Sequence, residues 1–127
     1  VRPLQVAVGA ILRDGRFFLQ RRDPAARRFP GLWEFPGGKV EAPETPAEAL
    51  LRELREELDW TPDAFEPLPV IRYTYPGLVV ELNPFLCRGA ARPDTTLAWG
   101  WFLVGEMRGL PMPEASRHLL PVLSRLV

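Results

Sequence analysis

The chain has 127 residues, with 16 basic and 16 acidic side chains, one histidine and one cysteine. A balanced charge offers no broad basic field to duplex nucleic acid and no acidic excess of the disordered kind. One cysteine excludes an internal disulfide framework and suits a reducing cytoplasm, and no apolar run approaches the ~18 residues of a membrane span.

What remains is one globular domain over residues 1–127, with 46% hydrophobic residues to build its core. The N-terminal stretch Val1 to Ile11 lacks a small-residue cleavage site and reads as a strand rather than a signal peptide. Leu4 to Leu12 is rich in Val, Ile and Ala and is interrupted by Gly9. Arg16 to Gln20 is a second strand, and Asp14-Gly15 between the two is a strong hairpin signal. The arginine-rich Arg21 to Phe29 reads as a loop, with Arg27 and Arg28 solvated. A short strand over Leu32 to Phe35 leads into Pro36-Gly37-Gly38, where only glycine permits unusual backbone angles or very close approach.

The period then changes from two to 3.6. Thr45-Pro46-Ala47-Glu48 supplies an N-cap, a proline at the first helical position and a capping-box glutamate. Ala47, Leu50, Leu51, Leu54 and Leu58 make one face of a helix from Pro46 to Leu58 apolar. Strands are predicted over Val70 to Tyr75 and Leu78 to Cys87, joined at Tyr75-Pro76-Gly77. A loop at Ala90 to Thr96 precedes a last strand over Ala98 to Val104. Ser116 to Val127 has helical apolar spacing, with Pro121 forcing a kink or a late start. This order predicts an α+β fold, a mixed β-sheet with helices packed on it.

The central helix carries the chemistry. Glu53, Glu56 and Glu57 form a stripe beside the leucine face. Glu53 and Glu57, one turn apart, repel by a few tenths of a kcal/mol (~0.2–0.5) in an isolated helix. Glu48 to Arg52 and Arg52 to Glu56 are favourable pairs at the same spacing, so ordinary surface pairing accounts for part of the charge. A cluster of carboxylates just after a double glycine also suits a hard divalent cation such as Mg²⁺. The residues alone leave both readings open.

Gly38, five residues, Glu44, seven residues, then Arg52-Glu53-Leu54-Arg55-Glu56-Glu57-Leu58 resembles the Nudix box of the Nudix hydrolases. The box usually closes with a glycine and an aliphatic residue, where this chain has Asp59-Trp60. Aspartate can adopt the left-handed conformation that caps a helix, though less cheaply than glycine. The segment Trp33-Glu34-Phe35-Pro36-Gly37-Gly38-Lys39-Val40-Glu41, Tyr75-Pro76 with Val80-Glu81-Leu82, and Leu110-Pro111-Met112-Pro113 all look like MutT-type members. The resemblance implies the Nudix α/β/α sandwich, with a central Nudix-box helix and a C-terminal helix. It also implies Mg²⁺- or Mn²⁺-dependent hydrolysis of nucleoside triphosphates, including oxidised ones such as 8-oxo-dGTP, to a monophosphate and pyrophosphate. A cytoplasmic enzyme of nucleotide-pool sanitation and DNA repair, monomeric or a homodimer, would follow.

By the same resemblance, Gly38 (through its carbonyl), Glu53, Glu56 and Glu57 are the metal ligands. Glu53 is the candidate base, ahead of Glu44, and Arg52 orients it. Lys39, the only lysine among sixteen bases, and Arg22 are expected at the phosphates, although Arg21 competes for the latter role. Glu34, Phe35 and Ser116 complete the expected substrate contacts. Ser116 stands where relatives that prefer oxidised guanine place an asparagine, and one hydroxyl cannot reproduce a bidentate amide contact. Serine there is also a good helix N-cap. The acid that some relatives place before the late-strand tryptophan is replaced by Ala98. Trp33, Trp99, Trp101, His118 and Cys87 read mainly as packing residues. The alternatives are a Nudix hydrolase of ADP-ribose, a dinucleoside polyphosphate or capped RNA, and a non-catalytic Nudix-fold lesion-recognition module. The latter typically loses carboxylates that are intact here.

The zero net charge conceals a segregation. Residues 39–59 hold seven acids and three bases, whereas residues 1–28 hold seven bases and two acids. That asymmetry suits a metal–polyphosphate complex if the fold brings the two regions together.

Overall fold

The computed structural model describes residues 2–127. Strand β1 (Leu4–Arg13) lies at the centre of an eight-stranded mixed sheet. It runs parallel to β7 (Leu78–Arg88), from Leu4 opposite Val80 to Ile11 opposite Cys87. Every other pairing is antiparallel. β2 (Arg16–Arg21) folds back from the far end of β1 through Asp14 and Gly15, both at positive φ, as a two-residue hairpin turn requires. β3 (Trp33–Glu34) pairs with β2, and β4 (Gly37–Lys39) takes the near half of β1, with Gly38 opposite Ala7. β5 (Ala64–Pro67) and β6 (Ile71–Tyr75) share β7, and β8 (Trp99–Phe102) pairs with β2.

Period-two alternation divides the core between the two faces of this sheet. Ala7 and Ile11 of β1, Phe18 of β2 and Cys87 of β7 point to one side. There they meet Ala49, Leu50, Leu54 and Leu58 of α1 (Pro46–Leu58), together with the buried Trp60. Val8, Ala10 and Leu12, with Phe17, Leu19, Leu82 and Leu86, point to the other side. That face is covered by α2 (Val104–Met107), α3 (Glu114–Arg117) and α4 (Leu120–Ser124), which contribute Val104, Met107, Ala115, Leu119, Leu120 and Leu123. The arrangement is the expected α/β/α sandwich. No helix among the described residues is long and apolar enough to cross a membrane.

The capping signals of α1 are all realised. Thr45 caps the helix, its hydroxyl accepting from the Glu48 N–H, and the Glu48 carboxylate accepts from the Thr45 N–H at 2.9 Å. Glu48 is therefore spent on the cap, and the expected Glu48–Arg52 pair does not form. Ala49, rather than Leu51, completes the buried face. At the other end Asp59 takes the left-handed conformation, φ 47° and ψ 45°, and its N–H donates to the Arg55 carbonyl at 3.0 Å.

Several expectations need correction. β4 pairs with β1 although Gly37-Gly38 reads as a loop, and β5 is an exposed edge strand with no alternation to reveal it. The last strand stops at Phe102, because the Glu106 carboxylate accepts the Leu103 N–H at 2.7 Å and draws the chain into α2. The C-terminal helical segment is broken into two short helices, as Pro121 requires, and Pro121 sits in the first turn of α4, where its missing N–H costs nothing. Ser116 lies inside α3, whose N-cap is Pro113, so it is no cap. His118 is exposed, resting on the Tyr73 ring at 5.2 Å, and Trp99 is exposed too, whereas Cys87 is buried as expected.

Asp59 combines a left-handed backbone with a negative charge at the C-terminal end of a helix, both unfavourable. Asp59→Gly is expected to stabilise the fold by about 1 kcal/mol, and thermal unfolding of the pure variant checks it.

Candidate active site

The leucine face of α1 settles on β1 at Gly9, where an added Cβ would come within 3.2 Å of Leu54 Cδ2. This close docking brings the next stripe of the helix onto β4. An added Cβ at Gly38 would lie 2.6 Å from both carboxylate oxygens of Glu53, so any side chain there would displace that carboxylate. Gly37 has φ 149°, and a Cβ on it would strike the Ala7 carbonyl. Its N–H donates to Glu57 Oε1 at 3.3 Å. Both glycines are thus required by contact, and together they seat two carboxylates.

Arg52 holds the exposed end of the cluster. Its Nε and NH2 reach both oxygens of Glu44 at 2.6 and 3.0 Å, and its NH1 donates to Glu53 Oε1 at 2.9 Å. A longer contact of 3.4 Å goes to Glu56, and NH2 also binds the Lys39 carbonyl at 3.0 Å. These bonds hold the Glu44 carboxyl below its ordinary pKa and raise that of Arg52. Glu56, with 61% of its side chain exposed, points outward. Glu57 is set differently. Burial pushes its carboxyl up to about 7, opposed by the amide of Gln20 and reinforced by the charges of Glu53 and Glu34.

The other side of the glycine strand lines a cleft of about 220 Å³. Arg22, Glu34, Phe35, Lys39 and Ser116, drawn from four stretches of sequence, all border it. Arg22 pairs with Glu34 at 3.2 Å, and burial raises the Glu34 carboxyl against the pull of that guanidinium. The Nε of Arg22 is buried with no acceptor, an orphaned donor whose cost is on the order of 1–3 kcal/mol. An incoming anionic oxygen that reorganised this side chain would relieve it. The Lys39 ammonium enters no ion pair found among the described residues.

All the residues expected from the sequence therefore fall at one locality, on the two sides of Gly37-Gly38. Others escaped the sequence reading. Arg28, Phe29 and Tyr75 border the cleft, and the Phe29 and Tyr75 rings lie 5.4 Å apart. The Tyr75 hydroxyl accepts from the Ala115 N–H at 2.9 Å and ties α3, with Ser116, to β6. A loop arginine and a strand-end tyrosine carry no local signal for this. Gln20 is the other omission. Its side chain is buried on the α1 side of β2 and donates to Glu57 Oε2 at 2.6 Å.

Among the described residues no three acidic, histidine or cysteine side chains are grouped tightly enough to cage a cation. The donors still fit Mg²⁺ or Mn²⁺. They are hard oxygens, and the cradle at Gly38 that a Cβ would fill keeps Glu53 open to the glycine backbone. Mg²⁺ typically retains waters and takes one or two carboxylates plus substrate phosphates. Glu53, Glu57 and the Gly38 carbonyl would supply the protein's share, with Glu56 at the outer edge.

A sandwich with its carboxylate helix seated on a double glycine defines a class, and comparison with known proteins agrees. Residues 3–123 match the NUDIX domain, and the chain belongs to the Nudix family. The 8-oxo-dGTP diphosphatase of Escherichia coli K12 is 38% identical over 99% of this chain and 100% of its own length. The CTP pyrophosphohydrolase of the same organism is 53% identical over a shorter stretch, 43% of this chain and 40% of that protein. The crystal structure of the MutT NUDIX hydrolase from Burkholderia pseudomallei superposes with a TM-score of 0.84 at 28% identity, covering 95% of this chain and 98% of that one.

Folding raises the Glu57 pKa from 4.5 to about 7, so the metal-free fold binds more protons than the unfolded chain and loses stability as pH climbs through that interval. A cation needs the ionised form. Mn²⁺ affinity is therefore expected to rise by about tenfold per pH unit below 7 and to level off above it. Calorimetric titration checks this, with Glu57→Gln flattening the profile.

Proposed function

We propose that the chain is a single-domain, MutT-type nucleoside triphosphate pyrophosphohydrolase, an 8-oxo-dGTP diphosphatase. It adds water across the phosphoanhydride to yield a nucleoside monophosphate and pyrophosphate, with Mg²⁺ or Mn²⁺ as cofactor. One observation carries this reading. The Gly37-Gly38 strand has a cleft with Arg22 and Lys39 on one side and the Glu53 and Glu57 carboxylates against it. Similarity over the full length of the E. coli 8-oxo-dGTP diphosphatase supports it.

The bound divalent cation supplies neutralisation of polyphosphate charge and a lowered pKa for the attacking water. Glu53, Glu56, Glu57 and the Gly38 carbonyl hold it. Arg52 engages Glu53 Oε1 and leaves Oε2 to take the proton of the water, so Glu53 serves as base and Arg52 fixes its orientation. Lys39 and Arg22 bind phosphate oxygens through charge-assisted bonds. Phe35, Glu34 and Ser116 line the part of the cleft that receives the nucleoside. Such an enzyme would cleanse the nucleotide pool of oxidised precursors in the cytoplasm, where the buried thiol of Cys87 stays reduced.

Two outcomes are expected. Glu53→Gln lowers kcat by about two orders of magnitude or more while the circular dichroism spectrum is unchanged, and near-normal pyrophosphate release by that variant would remove Glu53 as base. Ser116 offers one hydroxyl to the base, so Ser116→Asn raises the kcat/KM preference for 8-oxo-dGTP over dGTP by about tenfold, the value of one good hydrogen bond. A panel of triphosphates, ADP-ribose, dinucleoside polyphosphates and 5′-capped RNA ranked by kcat/KM tests the substrate class. No turnover of any triphosphate would overturn it.

A further inference from the structure

We propose that Gln20 is a positioning residue for Glu57, and that a Thr95–Gln20–Glu57 chain sets how α1 presents this carboxylate to a divalent cation. The proposal rests on the metal-dependent reading above and adds two residues to it.

The alternation of β2 puts Phe18 and Gln20 on the α1 side, where an apolar residue would complete the core. Gln20 is instead the sole polar side chain among the fully buried described residues, 1% exposed. Burying an amide is costly unless its bonding is satisfied, and here both ends are used. Its Nε2 donates to Glu57 Oε2 at 2.6 Å, and its Oε1 accepts from the Thr95 hydroxyl at 2.9 Å.

The direction of the chain is fixed from outside. The Leu97 N–H donates to Thr95 Oγ1 at 3.1 Å, so a backbone amide occupies an acceptor position on that hydroxyl. The single hydroxyl proton is then directed to Gln20 Oε1, which leaves the NH₂ end facing Glu57. Gln20 can only donate there, and a donor holds the ionised carboxylate, the form a cation requires. The loop carrying Thr95 is itself pinned to the end of β2, since the Arg21 N–H donates to the Ala98 carbonyl at 2.8 Å.

The hydrogen bonding leaves lone pairs for the metal. Glu57 Oε2 is held by Gln20 and Oε1 by the Gly37 N–H at 3.3 Å. Each oxygen keeps a second lone-pair direction, so the two bonds orient the group without saturating it. A leucine at position 20 would fill the same space but leave Oε2 without its donor and the carboxylate free to rotate.

The experiment measures the dissociation constant of Mn²⁺, without nucleotide, by electron paramagnetic resonance at pH 8. It compares wild type with Q20M, T95V and T95S, each matched for circular dichroism and thermal unfolding. Loss of a residue that orients a ligand typically costs about 10–100-fold in metal affinity. Q20M is expected to weaken Mn²⁺ binding by about tenfold or more, and T95V by about threefold, because Gln20 is then free to reorient. T95S keeps the hydroxyl and restores the wild-type constant.

A folded Q20M with an unchanged Mn²⁺ constant would overturn the proposal. If Q20M does not fold, T95V decides, and wild-type affinity in that variant would overturn it equally. Failure of the wild-type protein to bind Mn²⁺ would instead overturn the metal-dependent reading, and this proposal with it.

Discussion

The close docking of α1 on the sheet governs the rest of the structure. Burying the side chains of Leu50, Leu54 and Leu58 contributes on the order of 1.5–3 kcal/mol each, and Gly9 and Gly38 let the helix approach without obstruction. Against this stands the cost of holding Glu57 buried near Glu53 and Glu34. Its carboxyl rises from 4.5 to about 7, which is on the order of 3 kcal/mol above neutral pH. The leucine face outweighs that cost. The fold therefore stores a carboxylate in a place where it would be better off with a cation beside it.

From this one contact the site follows on both sides of a thin wall. Gly37 and Gly38 belong to β4, whose backbone is held by β1, and they carry no side chain to separate the cleft from α1. The basic N-terminal region meets the wall through Arg22 and the acidic helix meets it through Glu53 and Glu57. Arg52 closes the exposed end by engaging Glu44, Glu53 and Glu56 at once. The charge segregation visible along the sequence is thus brought together in space.

Much of this was legible in the sequence because the signals are local. The capping box at Thr45, the Leu50, Leu54 and Leu58 spacing and the left-handed Asp59 all depend on neighbours within one helix, and all are observed. The carboxylates, Gly38 and Lys39 were readable through a spaced motif. What escaped depends on partners distant in sequence. Gln20 reads as the polar end of a strand until β2 is placed against α1, 37 residues away, and Thr95 lies 75 residues from Gln20. Arg28 and Tyr75 become cleft residues only when the loop after β2 folds back over β6. The short strand Gly37–Lys39 carries no β signal, because its pairing is imposed by β1.

In the proposed enzyme, Gly37 and Gly38 join a phosphate cleft to a cation site on α1. A crystal structure of the protein with Mg²⁺ and a non-hydrolysable nucleoside triphosphate tests it most directly. The expected result is a cation bound by Glu53 and Glu57 at Gly38, with the polyphosphate reaching it from a cleft bordered by Arg22 and Lys39. A nucleotide bound in the cleft with its phosphates turned away from α1, and no cation at those carboxylates, would contradict it.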